Sequence, residues 1–247
     1  VPAGVVATFG TTGVGALDPL AEIAAVCRQE GLLLHVDAAW AGSALLLPEV
    51  RALADGLGEA DSVAVNPHKW LLTNFDCTAH WVRDPAALVR TLSVLPPYLR
   101  SAETGRVIDY RDWGVPLGRR FRALKLWFVL RSYGAEALRA KLRADLALAA
   151  DAAARLAAVP GIEVVTRSLA LVVFRHVPPP LAGDAAALDA HNRALVERIN
   201  ADGRIYLTPG VCDGRAVIRL AVGGTWTRPR HIVEAVEVIA ELAATSA

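Results

Sequence analysis

Methionine is absent from all 247 residues, position 1 included, and lysine is nearly so, with Lys69, Lys125 and Lys141 standing against 23 arginines. The missing initiator, and a start that runs almost at once into the apolar Val5-Val6-Ala7-Thr8-Phe9, lead us to expect the later part of a longer polypeptide or one piece of a divided one. Cysteine is scarce: Cys27, Cys77 and Cys212 are odd in number and lack metal-ligand spacing, which argues against a disulfide framework and a zinc site and makes a reducing cytoplasm the expected location. No apolar run reaches the roughly 18–20 residues that cross a bilayer, and Val1-Pro2-Ala3-Gly4 lacks a signal peptide's basic region. A net charge of +1 makes no electrostatic case for nucleic acid or an anionic membrane. The expected partner is a small molecule.

What is present is apolar content, 54% of residues, enough for a large core in one or two domains. The first half alternates strand and helix signals, the pattern of a mostly parallel sheet with helices on its faces. Strands are predicted at 5–9, 32–36, 62–65 and 78–82. A helix is predicted after Asp18 as N-cap and Pro19, with Leu20, Ile23, Ala24 and Cys27 on one face and Gly31 as the stop. Periodicity fades from Leu92 to Pro116, a length of irregular chain that points to a mobile loop or lid. Helices are predicted from Arg119 to about Ala158 with a break at Gly134. A smaller α+β module follows, with strands at 162–165, 169–175, 205–208 and 216–221 and helices near 184–201 and 229–244. The expected division is residues 1–118, part of a large domain, and 119–247, a small C-terminal domain with its linking helices.

Chemistry concentrates at two strand ends. Asp37 closes the run His35-Val36-Asp37, and open α/β sheets bind ligands beyond the carboxyl ends of their strands. Lys69 lies 32 positions later in Asn66-Pro67-His68-Lys69-Trp70, after the β-rich Ser62-Val63-Ala64-Val65. Arginine stays protonated, whereas a desolvated lysine can lose its proton and attack a carbonyl. Only three residues therefore qualify as a Schiff-base anchor. Lys125 and Lys141 read as solvated helix faces, so Lys69 is the candidate. A lysine that condenses with an aldehyde and an aspartate that keeps a ring nitrogen protonated are the two attachments pyridoxal phosphate needs. Taken singly, a strand-end acid also serves as a turn cap and a strand threonine such as Thr8 reflects β propensity.

Five blocks, in order, resemble one family: Val5 to Thr12; His35-Val36-Asp37-Ala38-Ala39-Trp40-Ala41-Gly42-Ser43-Ala44; Asn66 to Leu72; Asn74-Phe75-Asp76-Cys77; and Asp109-Tyr110-Arg111-Asp112-Trp113 through Arg122. They look like the aromatic-L-amino-acid decarboxylases, group II pyridoxal-phosphate enzymes of the aspartate-aminotransferase-like fold (fold type I). The resemblance runs from Val5 to about Ala244. It implies the second half of the large domain plus the small C-terminal domain.

That resemblance makes Lys69 the cofactor lysine and Asp37 the partner of the ring nitrogen. Ala39 would pack beneath the ring, Asn66 would help hold the phosphate, and His68 would line the site beside the lysine. Thr8 would sit near the reactive side. Tyr98, in Leu95-Pro96-Pro97-Tyr98, matches a loop tyrosine that returns a proton to Cα. Gly118 occupies a pocket position compatible with a bulky catechol or indole, and Trp40 stands where tyrosine is frequent, next to the pocket. Arg111 and Arg119 would order the loop and the domain junction. The family's phosphate-binding Gly/Ser-rich loop and ring-stacking histidine are expected upstream of Val1. The activity implied is decarboxylation of an aromatic L-amino acid to the arylalkylamine, by a homodimer with its active site at the subunit interface. The alternatives are an oxygen-using aromatic aldehyde synthase, against which Tyr98 counts, and a non-catalytic dimerisation or binding fragment.

Overall fold

A computed structural model describes residues 2–94, 103 and 106–245. Its first sheet is built from β1 (Gly4–Thr8), β2 (Leu33–Asp37), β3 (Ser62–Val65) and β4 (Ala79–Val82), in that spatial order. The first three strands run parallel and β4 is antiparallel to β3. Between them lie α1 (Leu20–Glu30), α2 (Pro48–Arg51) and α3 (Pro67–Trp70), and α4 (Pro85–Leu92) follows β4.

In α1, Leu20, Ala24 and Cys27 recur every third or fourth residue and are buried, and Gly31 ends the helix in the left-handed conformation with its N–H on the Cys27 carbonyl. The start differs from expectation. Pro19 is the N-cap and no side chain caps the helix, because the Asp18 carboxylate accepts the Thr8 N–H at 2.7 Å instead. A bond to the neighbouring strand has replaced a bond to the helix.

Side chains alternate across a strand, so each face of this sheet can be read from burial. Ala7, Leu34 and Val36 point into the core and are fully buried. Val6 and Leu33, on the other face, are 68% and 64% exposed. Helices were expected on both faces. Among the described residues only α4 borders the second one, where a broad groove runs from Gly4 and Leu33 to Leu88 and Leu92.

The second unit is a four-stranded antiparallel sheet of β5 (Ile162–Ser168), β6 (Leu171–His176), β8 (Arg215–Ala221) and β7 (Thr208–Cys212), in spatial order β5-β6-β8-β7. The strand expected at 205–208 therefore lies later. Asn200 binds both the N–H and the carbonyl of Leu207 through its side chain, which takes those groups out of any ladder. Pro209 is tolerated because β7 is an edge strand. Helices α6 (Ala185–Asp202) and α7 (Pro229–Ala244) cover one face, packing Leu195, Ile199 and Ile239 against Phe174 and Ile218. Each such fully buried side chain contributes about 1.5–3 kcal/mol. On the opposite face, Leu171, Val173 and Val217 meet Val14 and Trp40 of the first unit.

Helix α5 (Arg122–Ala157) joins the two units, and Gly134 interrupts it at φ +74°, ψ 165°. That conformation belongs essentially to glycine alone. Beyond the break, Leu138, Leu142, Asp145, Leu148, Ala149, Ala152 and Leu156 form the buried stripe. A single core cluster runs from Phe9 and Trp70 through Leu142 to Phe174 and Ile218. No helix among the described residues is long and apolar enough to cross a membrane.

Candidate active site

Parallel pairing places Thr8 directly opposite Asp37 at the carboxyl ends of β1 and β2. Both residues belong to the open face. The chain then turns sharply after Asp37: its Oδ1 accepts the Ala39 N–H at 2.9 Å, while the Ala38 N–H binds Ala64 on β3. Asn66, leaving β3, donates its N–H to the Ala39 carbonyl at 2.9 Å. The acid-bearing turn and the lysine-bearing turn are thus bonded to each other through their backbones.

Asn66 caps the single turn of α3, and the Lys69 N–H returns to its carbonyl at 2.9 Å. The Asn66 side-chain oxygen accepts the Thr78 hydroxyl at 2.9 Å, which fixes the amide. His68 is held by Cys77, whose N–H donates to Nδ1 at 2.9 Å, and its ring meets Phe75 edge-on at 4.9 Å. Two residues beyond Trp70, Leu72 adopts φ +56°. A non-glycine residue in that conformation costs on the order of 1–3 kcal/mol, so the tight turn after the lysine is over-determined by its surroundings.

The lysines separate by their partners. Lys125 lies 3.9 Å from Asp76, and Lys141 is ion-paired with Asp145, with only 31% and 20% of their side chains exposed. The expectation of two solvated helix faces is therefore corrected, since both cations point inward at buried or half-buried acids. Lys69 is exposed and has no ion pair among the described residues, and the same holds for Asp37. An unpaired amine and an unpaired carboxylate on bonded turns form a donor set that fits a cofactor with an aldehyde and a basic ring nitrogen.

Asp76 anchors the neighbouring segment. Burial works to raise its pKa, yet bonds from its own backbone surroundings and from Arg122, with the charge of Arg120, hold the carboxyl below its ordinary value. The guanidinium contacts measure 2.6 Å from Arg120 and 3.0 Å from Arg122. They tie the start of α5 to the loop that packs on His68. Burial pushes the adjacent Cys77 thiol up, making it a structural group and not a nucleophile.

The pocket residues are placed differently from one another. Gly118 is exposed, with open space where a side chain would project. Trp40 is half-buried, packed on both hydrophobic clusters and stacked on Trp70. Gly10 makes room for it, because a Cβ there would lie 3.0 Å from the Trp40 ring and 2.5 Å from Ala41. The Arg119 Nε binds the Tyr110 carbonyl at 3.0 Å, and Arg111 pairs with Asp109 at 3.0 Å. Tyr98 lies outside the described residues.

One functional candidate escaped the reading of the sequence. Asp145 is fully buried and accepts the indole N–H of Trp70 at 3.0 Å. Its signal was available, since an acid in the apolar stripe of a helix needs a buried partner.

Comparison with known proteins agrees with this geometry. The model for the pyridoxal-dependent decarboxylase conserved domain matches residues 1–177. Tryptophan decarboxylase TDC1 of Camptotheca acuminata is 43% identical over 98% of this chain and 48% of its own length. Phenylacetaldehyde synthase of Arabidopsis thaliana is 41% identical over 98% of this chain and 49% of its own. The crystal structure of Oryza sativa TDC with PLP and tryptamine superposes with a TM-score of 0.94 at 40% identity, covering 99% of this chain and 51% of that one. The chain spans about half the length of the curated relatives it matches.

Proposed function

This chain belongs to the pyridoxal-dependent decarboxylase family, and from that premise we propose that it forms the cofactor-lysine half of an enzyme that decarboxylates an aromatic L-amino acid to the arylalkylamine and carbon dioxide. Its fold is that of the second part of a fold type I enzyme. The observation that carries the proposal is the pairing of two uncommitted groups, Asp37 and Lys69, on turns joined by the Asn66–Ala39 backbone bond.

Pyridoxal phosphate, when bound, supplies an electron-withdrawing ring that accepts the pair left on Cα as carbon dioxide departs. Lys69 would hold the cofactor through its amine, the group that reacts with an aldehyde. Asp37 keeps the ring nitrogen protonated by a charge-assisted hydrogen bond. Ala39 offers a small wall beneath the ring, Asn66 a donor for the phosphate, and His68 and Thr8 polar atoms beside the lysine and on the reactive side. Tyr98 returns a proton to Cα, and Gly118 and Trp40 shape the space for an aromatic side chain. The catalytic set is Lys69, Asp37, His68 and Tyr98.

The complete site needs more than this chain. The open face at Val6 and Leu33, and the exposed Trp127 and Phe128 on the first part of α5, support covering by the other half of the fold and by a second protomer of a homodimer. The other half is either covalently joined or a separate piece, and it brings the phosphate loop and the ring-stacking histidine. We divide the chain at 118/119 into large-domain and small-domain parts. The free thiols of Cys27, Cys77 and Cys212 support a cytoplasmic location.

The second reading, an oxygen-dependent aromatic aldehyde synthase, is favoured by the 41% identity to a phenylacetaldehyde synthase. Tyr98 speaks for the decarboxylase. Borohydride reduction of the cofactor-loaded protein followed by peptide mapping tests the assignment: the pyridoxyl group is expected on Lys69, and recovery on Lys125 or Lys141 would end it.

A further inference from the structure

Helix α5 carries a buried stripe at positions 138, 142, 145, 148, 149, 152 and 156, and six of the seven residues are leucine or alanine. The seventh is Asp145, with none of its surface exposed. A carboxylate in such a place is costly unless its oxygens are bonded. Both are: Oδ2 takes the Trp70 Nε1–H at 3.0 Å and Oδ1 pairs with Lys141 one turn earlier on the helix. Neither bond is needed to close the stripe, where a leucine or alanine would pack without any desolvation.

The indole it holds is itself fixed on its other sides. Trp70 is 1% exposed and stacks on Trp40 at 5.3 Å and 16°. Its edge abuts Gly223 so closely that a Cβ there would lie 3.2 Å from Cδ1. Trp70 follows Lys69 directly, and Trp40 follows the Asp37 turn after Ala38 and Ala39. One carboxylate from the linking helix therefore locks the pair of rings on which the lysine-bearing and acid-bearing turns both rest.

We propose that Asp145, charge-balanced by Lys141, is a positioning residue that sets Lys69 against Asp37 through the Trp70–Trp40 pair. It touches neither the reacting atoms nor the cofactor. This role rests on the reading of Lys69 and Asp37 as the pyridoxal-phosphate attachments. Through it, the part of α5 beyond the break at Gly134 reaches Trp70, the lysine's chain neighbour, by one bond spanning 75 residues.

The experiment uses protein expressed from its full coding sequence, first unaltered and then as Asp145→Leu, Trp70→Phe, the two combined, and Asp145→Asn with Lys141→Met. Pyridoxal phosphate affinity of the apo protein and the far-ultraviolet exciton band of stacked tryptophans are read for each, the band serving as a readout independent of the loaded enzyme. Asp145→Leu and Trp70→Phe should each weaken cofactor binding on the order of tenfold, the scale of one hydrogen bond to a charged group. Their combination should lose no more than the larger single loss, because both remove the same bond. Asp145→Leu should also diminish the exciton band. Asparagine with Lys141→Met keeps an acceptor for the indole and removes the unmatched ammonium, so it should restore both readouts, and it stands in if Asp145→Leu does not fold. Additive losses, an unchanged affinity in Asp145→Leu, or a folded asparagine–methionine variant without restoration would overturn the positioning role. Absence of borohydride-trapped cofactor on Lys69 in the unaltered protein would instead overturn the functional reading, and the role with it.

Discussion

The indole of Trp40 lies over that of Trp70 with ring centroids 5.3 Å apart and planes 16° from parallel. Each tryptophan stands within three residues of a candidate cofactor attachment, Asp37 before one and Lys69 before the other. The stack and the Asn66–Ala39 backbone bond hold the same two turns, one through side chains and one through the main chain. Precise placement of an acid and an amine matters because misplacement by an ångström costs heavily in rate.

Asp37→Ala should impair turnover far more than folding. The side chain is exposed and bonds only its own turn, so thermal unfolding of the apo protein should shift little. Loss of a charge-assisted bond to the ring nitrogen should weaken cofactor binding by about 1.5–3 kcal/mol, with a further loss in rate. Near-normal turnover in the variant would refute the role.

Tyr98→Phe should suppress amine formation while leaving cofactor binding and carbon dioxide release partly intact. In its proposed role the phenol would act after the carboxylate has gone, and without its proton the electron pair left on Cα would persist long enough to meet oxygen. Product chromatography and a peroxide assay under air should show diversion to aldehyde, ammonia and peroxide. An unchanged amine yield with no peroxide would leave Tyr98 a loop anchor.

A site shared between protomers should allow rescue. Protein lacking Lys69 mixed with protein lacking Tyr98 should recover activity in verified heterodimers, since one of the sites formed would carry both intact residues. Heterodimers without activity would count against sharing.

His176 and His191 should make the small domain sensitive to acid. The two rings are joined by a 2.9 Å contact between Nδ1 and Nε2, and His176 is 4% exposed. Burial lowers the pKa of both below 6.5, with the charge of Arg198 adding to it and the charge of His191 adding at His176. The unfolded chain therefore binds these protons first as pH falls. Stability is full above about 6.5 and declines from there toward the folded-state values. The thermal unfolding temperature of the unaltered protein should drop as pH falls from about 6.5 to about 5.5, and His191→Gln should flatten the drop. Parallel profiles for the two proteins would remove the pair as the cause.

Much of the architecture was legible from local pattern. The stripe Leu20, Ala24, Cys27 with Gly31 behind it marked α1, and the β-branched runs at Val5 and Ser62 marked their strands, because burial periodicity and backbone conformation are written in neighbouring residues. The break at Gly134 was readable for the same reason. Asp18 and the segment from Ile205 were misjudged because their hydrogen bonds go elsewhere: Asp18 to Thr8 on a neighbouring strand, and Leu207 to a helix side chain. Local propensity does not see partners that folding brings in.

Within the site, the sequence by itself determined which residues are the candidates for the chemistry. Only three lysines compete, and the two motifs stand in an order and spacing that resemble one family. Only the tertiary structure decided which lysine is uncommitted, since the acids facing Lys125 and Lys141 come from a loop far along the chain and from a buried helix stripe. It also decided what holds Lys69 in place. The bond from Trp70 to Asp145 joins residues 75 positions apart, and a contact of that range follows from packing α5 against the first unit, which no local pattern of residues encodes.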